Sequence, residues 1–62
     1  MANFEAEYYV RKDFLDTITR VMAITSKAAA KKIFDIEKGL KIVEVNILGG
    51  NDWQKITRKD IS

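Results

Sequence analysis

Sixty-two residues make one domain at most, and one with a thin core, because a chain this short buries only about 60% of the surface its unfolded form exposes. With no Cys it cannot form disulfides, and with no His either, a zinc site would have only carboxylates to draw on, which suit calcium or magnesium better. Eleven basic residues against nine acidic ones leave a net charge of +2, weak for a nucleic-acid module, while 47% hydrophobic residues suit a folded chain and not a disordered tail.

Residues 4 to 11 alternate, with Phe4, Ala6, Tyr8 and Val10 on one face and Glu5, Glu7, Tyr9 and Arg11 on the other. A period of two in aromatic and branched residues predicts a strand. Residues 12 to 16 then read as a turn. Thr17, Ile18, Thr19, Val21, Ile24 and Thr25 are all β-branched, which favours a second strand over about 17 to 25. The alternative is a β-α-β-β chain with one long helix over 13 to 38, since Leu15, Ile18, Met22, Thr25 and Ala29 also fall at helical spacing.

Ser26 reads as the N-cap of a helix that continues through Ala28, Ala29, Ala30, Lys31 and Lys32, all strong helix formers. Its apolar stripe would be Ala29, Ile33 and Ile36, with Ala30 and Phe34 on the shoulder. Lys38 in the last turn suits the helix dipole, and Gly39 would end the helix in left-handed geometry, with Leu40 folding back onto the last turn. Residues 41 to 48 alternate again, Val43, Val45 and Ile47 against Ile42, Glu44, Asn46 and Leu48. Gly49-Gly50-Asn51-Asp52 is a hairpin turn and not a phosphate loop, which needs Gly, four residues and then Gly-Lys-Ser/Thr before a helix. Trp53 to Arg58 gives a last short strand, followed by a frayed tail. The fold class is therefore α+β, a small two-layer sandwich in the order β-β-α-β-β, with an antiparallel sheet and one helix packed on one face.

The chain lacks the usual equipment for catalysis. Nucleophilic mechanisms need an activated side chain beside a base, most often His, and there is none. Glu5 with Glu7, and Asp35 with Glu37, are pairs expected on wet surfaces and not in a cleft that would shift their pKa. No enzyme, cofactor or metal is expected. The N-terminus has no basic stretch followed by an apolar one, and no apolar run approaches the roughly 18 residues of a membrane span, so the chain reads as cytoplasmic.

Binding is the better expectation. One helix covers one face of the sheet, so the other face is open. If Phe4, Ala6, Tyr8, Val10, Val43, Val45 and Ile47 meet the helix, the open face takes the odd-numbered set of the first strand and Ile42, Glu44, Asn46 and Leu48 of the third. For the second strand, pointing Val21 and Ala23 inward sends Ile18, Arg20, Met22 and Ile24 out, and the opposite register would bury Arg20 at a cost. The open face then has an apolar centre with a polar rim, the general anatomy of a protein interface. Tyr9, Arg20, Met22, Ile24, Leu48 and Trp53 are the expected partner-binding residues. The expected function is a non-enzymatic protein–protein interaction module, an inhibitor or adaptor, with a homodimer open alongside a different protein partner. Its overall layout is similar to that of small phage-encoded proteins that grip and block a host protein; the similarity covers layout only and carries no motif. The alternative is nucleic-acid binding through Lys27, Lys31, Lys32, Lys38, Lys41, Lys55, Arg58 and Lys59, with Tyr9 and Trp53 stacking on bases.

Overall fold

The computed structural model of the chain describes residues 4–12, 18–47 and 50–61. The elements follow in the order β1 (Ala6–Lys12), β2 (Ile18–Ala23), α1 (Ser26–Ile36), β3 (Ile42–Ile47), β4 (Gln54–Thr57) and α2 (Arg58–Ile61). The strands form one antiparallel sheet in the spatial order β2-β1-β3-β4, with α1 packed across one face. This is the α+β sandwich expected from the alternation, with a short second helix added where a frayed tail was expected.

The long-helix alternative over 13 to 38 is not what forms. Ile18–Ala23 is a strand, registered with Ala6 opposite Ala23 and Arg11 opposite Ile18. Its β-branched residues gain more on a half-buried pleated surface than in a helix, where their χ1 freedom is lost. The turn expected over 12 to 16 falls, for residues 13 to 16, outside the described residues.

The core lies between α1 and the sheet. Tyr8 and Val10 of β1, Ala23 of β2, Val43 and Val45 of β3 and Ile56 of β4 meet Ala29, Ala30, Ile33 and Phe34 of α1, and Leu40 closes the far end. Val21 is half-buried against the same cluster, so β2 points inward as the cost of burying Arg20 requires. Three apolar residues expected in this layer lie elsewhere. Phe4 precedes the first strand and is exposed, Ile47 sits at the end of β3 beyond the cover of the helix, and Ile36 is 74% exposed. The helix stripe is centred between its four buried residues, and at 100° per residue Ile36 falls about a quarter turn away from that centre.

The ends of α1 also differ from expectation. Thr25, not Ser26, is the N-cap: its backbone is extended (φ −138°, ψ 167°) and its Oγ1 accepts the Ala28 N–H at 3.1 Å. Ser26 is the first helical residue, and its hydroxyl donates to Gln54 Oε1 at 2.8 Å. The helix ends at Ile36. Glu37 follows in an extended conformation (φ −115°), its N–H bonded to the Ile33 carbonyl, so neither Lys38 nor a left-handed Gly39 ends it. Arg58 takes over the function of the cap. Its Nη2 donates to the carbonyls of Phe34, Glu37 and Lys38 and its Nε to that of Leu40, and the guanidinium lies 4.9 Å from the centre of the Phe34 ring. Lys12 Nζ holds the Glu37 carboxylate at 2.6 Å on the same side.

Candidate functional site

The register places every second residue of each strand on the face away from α1. These are Ile18, Arg20 and Met22 on β2, Glu7, Tyr9 and Arg11 on β1, Ile42, Glu44 and Asn46 on β3, and Lys55 and Thr57 on β4. Cross-strand rows follow directly. Met22 faces Glu7; Arg20 faces Tyr9, which faces Asn46; Ile18 faces Arg11, which faces Glu44, which faces Lys55.

These rows change the expected layout. The exposed apolar groups are not at the centre. Among the described residues the two central strands, β1 and β3, carry Glu7, Tyr9, Arg11, Glu44 and Asn46 beside a half-buried Ile42, and the more exposed apolar surface is concentrated at the β2 edge. Ile18 is 46% exposed and Met22 49%, with Ile24, one residue past the strand, at 50%. Arg20 stands between Ile18 and Met22 and forms an ion pair with Glu7, Nη1 to Oε2, at 3.4 Å. The long aliphatic stem of an arginine covers apolar neighbours while its head stays wet.

A second cluster lies toward the other edge. Arg11 Nε donates to Glu44 Oε1 at 2.9 Å, and its guanidinium sits 4.2 Å from the centre of the Trp53 ring. A cation over an indole face in a half-buried site is a firm contact, so this trio is already satisfied within the chain. Beside it, Asn46 is buried. Its Nδ2 donates to the Gly50 carbonyl at 3.3 Å, while its Oδ1 has no hydrogen-bond partner among the described residues. Gly50 packs so closely over this amide that a Cβ at position 50 would lie 3.1 Å from Oδ1 and 3.2 Å from the Ile47 carbonyl. At this end of the molecule an open cleft of about 380 Å³ runs between Ser26, Gln54, Tyr8 and the 50–53 segment.

Of the six residues expected to bind a partner, Tyr9, Arg20 and Met22 share the open face in adjacent rows, and Ile24 is half exposed one residue past the end of β2. Trp53 stands apart, over Arg11, and Leu48 lies outside the described residues. Ile18 belongs with the first group by position and exposure, and its alternation with Arg20 and Met22 is the signal that marks it. Among the described residues no group of three or more acidic side chains converges to hold a metal. Among the described residues Asp60 is the one carboxyl whose acidity clearly departs from the ordinary value. The backbone N–H and hydroxyl of Thr57 hold it below the usual range, helped by Lys27. It lies in α2, away from the open face. Among the described residues no helix is long and apolar enough to cross a membrane. Compared with protein-family models, curated proteins and solved structures, the chain matches none.

Proposed function

We propose that the protein is a non-enzymatic protein-binding module, an adaptor or inhibitor that works by occupying a partner's surface with the β2 side of its open sheet face. The observation that carries this reading is the half-exposed Ile18 and Met22 around Arg20 on an edge strand, next to Tyr9, with Ile24 half exposed just past the strand's end. Tyr, Met and Arg are the residue types enriched in interfaces, and contiguous apolar surface of this kind marks interaction sites. The nucleic-acid alternative is less well supported. Lys31 pairs with Asp35 at 3.3 Å, Lys32 pairs with Glu5 at 3.7 Å, and Arg58 is engaged by four carbonyls, which withdraws three cations from any phosphate footprint.

The test is affinity capture from a lysate of the source cell by the wild type and by the M22K/I24K variant. A partner retained by the wild type and lost by a folded variant supports the reading. A double variant that unfolds would show these two residues to be core and the face assignment to be mistaken. A gel shift with binding that weakens steeply as salt rises would favour nucleic acid instead.

A further inference from the structure

We infer that the β2 edge is covered by a second copy of the chain, joined antiparallel, β2 against β2, with Val21 on the two-fold axis. The inference rests on the reading that the open face binds protein, and it names the partner.

The two edges of the sheet are not equivalent. β4 has four residues, leads straight into α2 and presents exposed Gln54 and Lys55. Short, charged edges are the usual protection against strand addition. β2 has six residues, its outer side has no strand neighbour among the described residues, and its exposed side chains are mostly apolar. The Met22 carbonyl already accepts a hydrogen bond from Lys32 Nζ at 2.6 Å, so donors outside the sheet reach it. A carbonyl has two lone pairs, which leaves one for a strand N–H.

Symmetry then restricts the register. A two-fold axis perpendicular to the sheet keeps both open faces on one side, so each β2 residue must meet a residue of its own face in the other copy. For a strand spanning Ile18 to Ala23, only two such registers pair nearly its whole length. One has Arg20 on the axis and sets two guanidinium groups directly opposite each other, which is destabilising. The other has Val21 on the axis. It sets Arg20 opposite the second copy's Met22, Thr19 opposite Ala23 and Ile18 opposite Ile24. An open-face row then reads Glu7, Met22, the second copy's Arg20 and the second copy's Tyr9. Each arginine lies along a methionine with its head directed toward a carboxylate, and each exposed isoleucine gains an apolar neighbour. Charge and apolar surface are both matched in this register alone.

The chain has no Cys, so an introduced one reports by itself. Under mild oxidation V21C is expected to form a disulfide-linked dimer at least about tenfold faster than K55C on the opposite edge, because only near-axial Cβ atoms come within bonding range. In sedimentation equilibrium the wild type is expected to show a monomer–dimer equilibrium. I18K and I24E should each weaken it by about tenfold, since each removes the same cross-strand pair twice. The combined I18K/I24E variant should regain the lost affinity, because the ammonium introduced at position 18 faces the carboxylate introduced at position 24 of the other copy. Within one copy the two positions are about 20 Å apart along the strand, so the rescue has no intramolecular route. Both positions of this charge test are half-exposed and outside the core, so it stands even if V21C fails to fold. A wild type that sediments as a monomer at every soluble concentration, a K55C that links as fast as V21C, or a double variant no better than the singles overturns the second copy as partner. Those results leave the capture experiment free to succeed with a different protein; failure of both experiments would end the broader reading.

Discussion

Arg58 shows how one side chain can be assigned to the wrong task. In the sequence it is one of a cluster of C-terminal cations. In the fold it closes the C-terminal end of α1, donating to four carbonyls and lying over Phe34. Its acceptors lie 18 to 24 residues away in the chain, so no local pattern reports the contact. Hydrogen bonds from a charged donor to half-buried carbonyls are worth more than neutral ones. Arg58→Ala should therefore cost about 2 kcal/mol in urea denaturation, and Arg58→Lys should recover less than half of that, because an ammonium lacks the planar fork. Two residues on, the chemistry was legible. Thr57 and Asp60 form a reciprocal capping box for α2: the Thr57 N–H donates to Asp60 Oδ2 at 2.9 Å, and the Asp60 N–H to Thr57 Oγ1 at 3.3 Å. The Thr-x-x-Asp spacing is the ordinary mark of a helix start, and here it converts the expected frayed tail into a turn of helix. The Thr57 N–H and hydroxyl, directed at the carboxylate, lower the Asp60 pKa. Between its folded and unfolded values the native state binds fewer protons, so this contribution is fully present above the unfolded pKa and disappears as pH falls through the folded one. Asp60→Asn should flatten that acid part of the curve of urea midpoint against pH.

Elements are more legible in this sequence than their ends. The two alternating strands and the alanine-rich helix stand where the periodicity put them, and β2 is the strand that its β-branched residues favour over a continued helix. The helix N-cap lies one residue before the expected Ser26. Thr25 and Ser26 both carry a hydroxyl that can cap, and only the extended backbone at Thr25 decides between them. This separates two substitutions that look alike in sequence. Thr25→Ala removes the bond to the Ala28 N–H and should cost about 1 kcal/mol. Ser26→Ala breaks only the exposed contact to Gln54 and gains helix propensity, so it should stay within about 0.5 kcal/mol of wild type. Paired thermal melts of the two variants read the difference. The other end of α1 comes before Lys38 and Gly39 because Glu37, held by Lys12, and the carbonyls held by Arg58 stop the helix before glycine is needed.

Across the whole molecule, the sequence indicates which face each residue takes but not which strands are neighbours. The pleat alone separates Tyr8 from Tyr9 and Val21 from Met22. The order β2-β1-β3-β4 is a long-range outcome, and it moves the apolar part of the open face from the centre to one edge while placing Glu7, Tyr9, Arg11 and Glu44 in the middle. A consequence is that stability and association draw on different isoleucines. Ile56 is 1% exposed and is held between β3 and the helix, whereas Ile18 is half in solvent. Truncating a buried isoleucine leaves a cavity in a core too thin to collapse around it, so Ile56→Ala should cost about 3 kcal/mol. For a chain of this length that is a large share of a total stability of roughly 3 to 9 kcal/mol, and the variant should be partly unfolded near its physiological temperature. Ile18→Ala leaves no cavity and should shift the stability of the dilute protein, read from its urea midpoint, by less than about 0.5 kcal/mol. Its effect should instead emerge with concentration. If the β2 edge is an association surface, wild type gains stability as protein concentration rises and Ile18→Ala gains less, since only the associated state contains the lost contact. Urea titrations of both chains at low and high concentration separate the two roles. Equal concentration dependence in the two would place Ile18 outside any association surface.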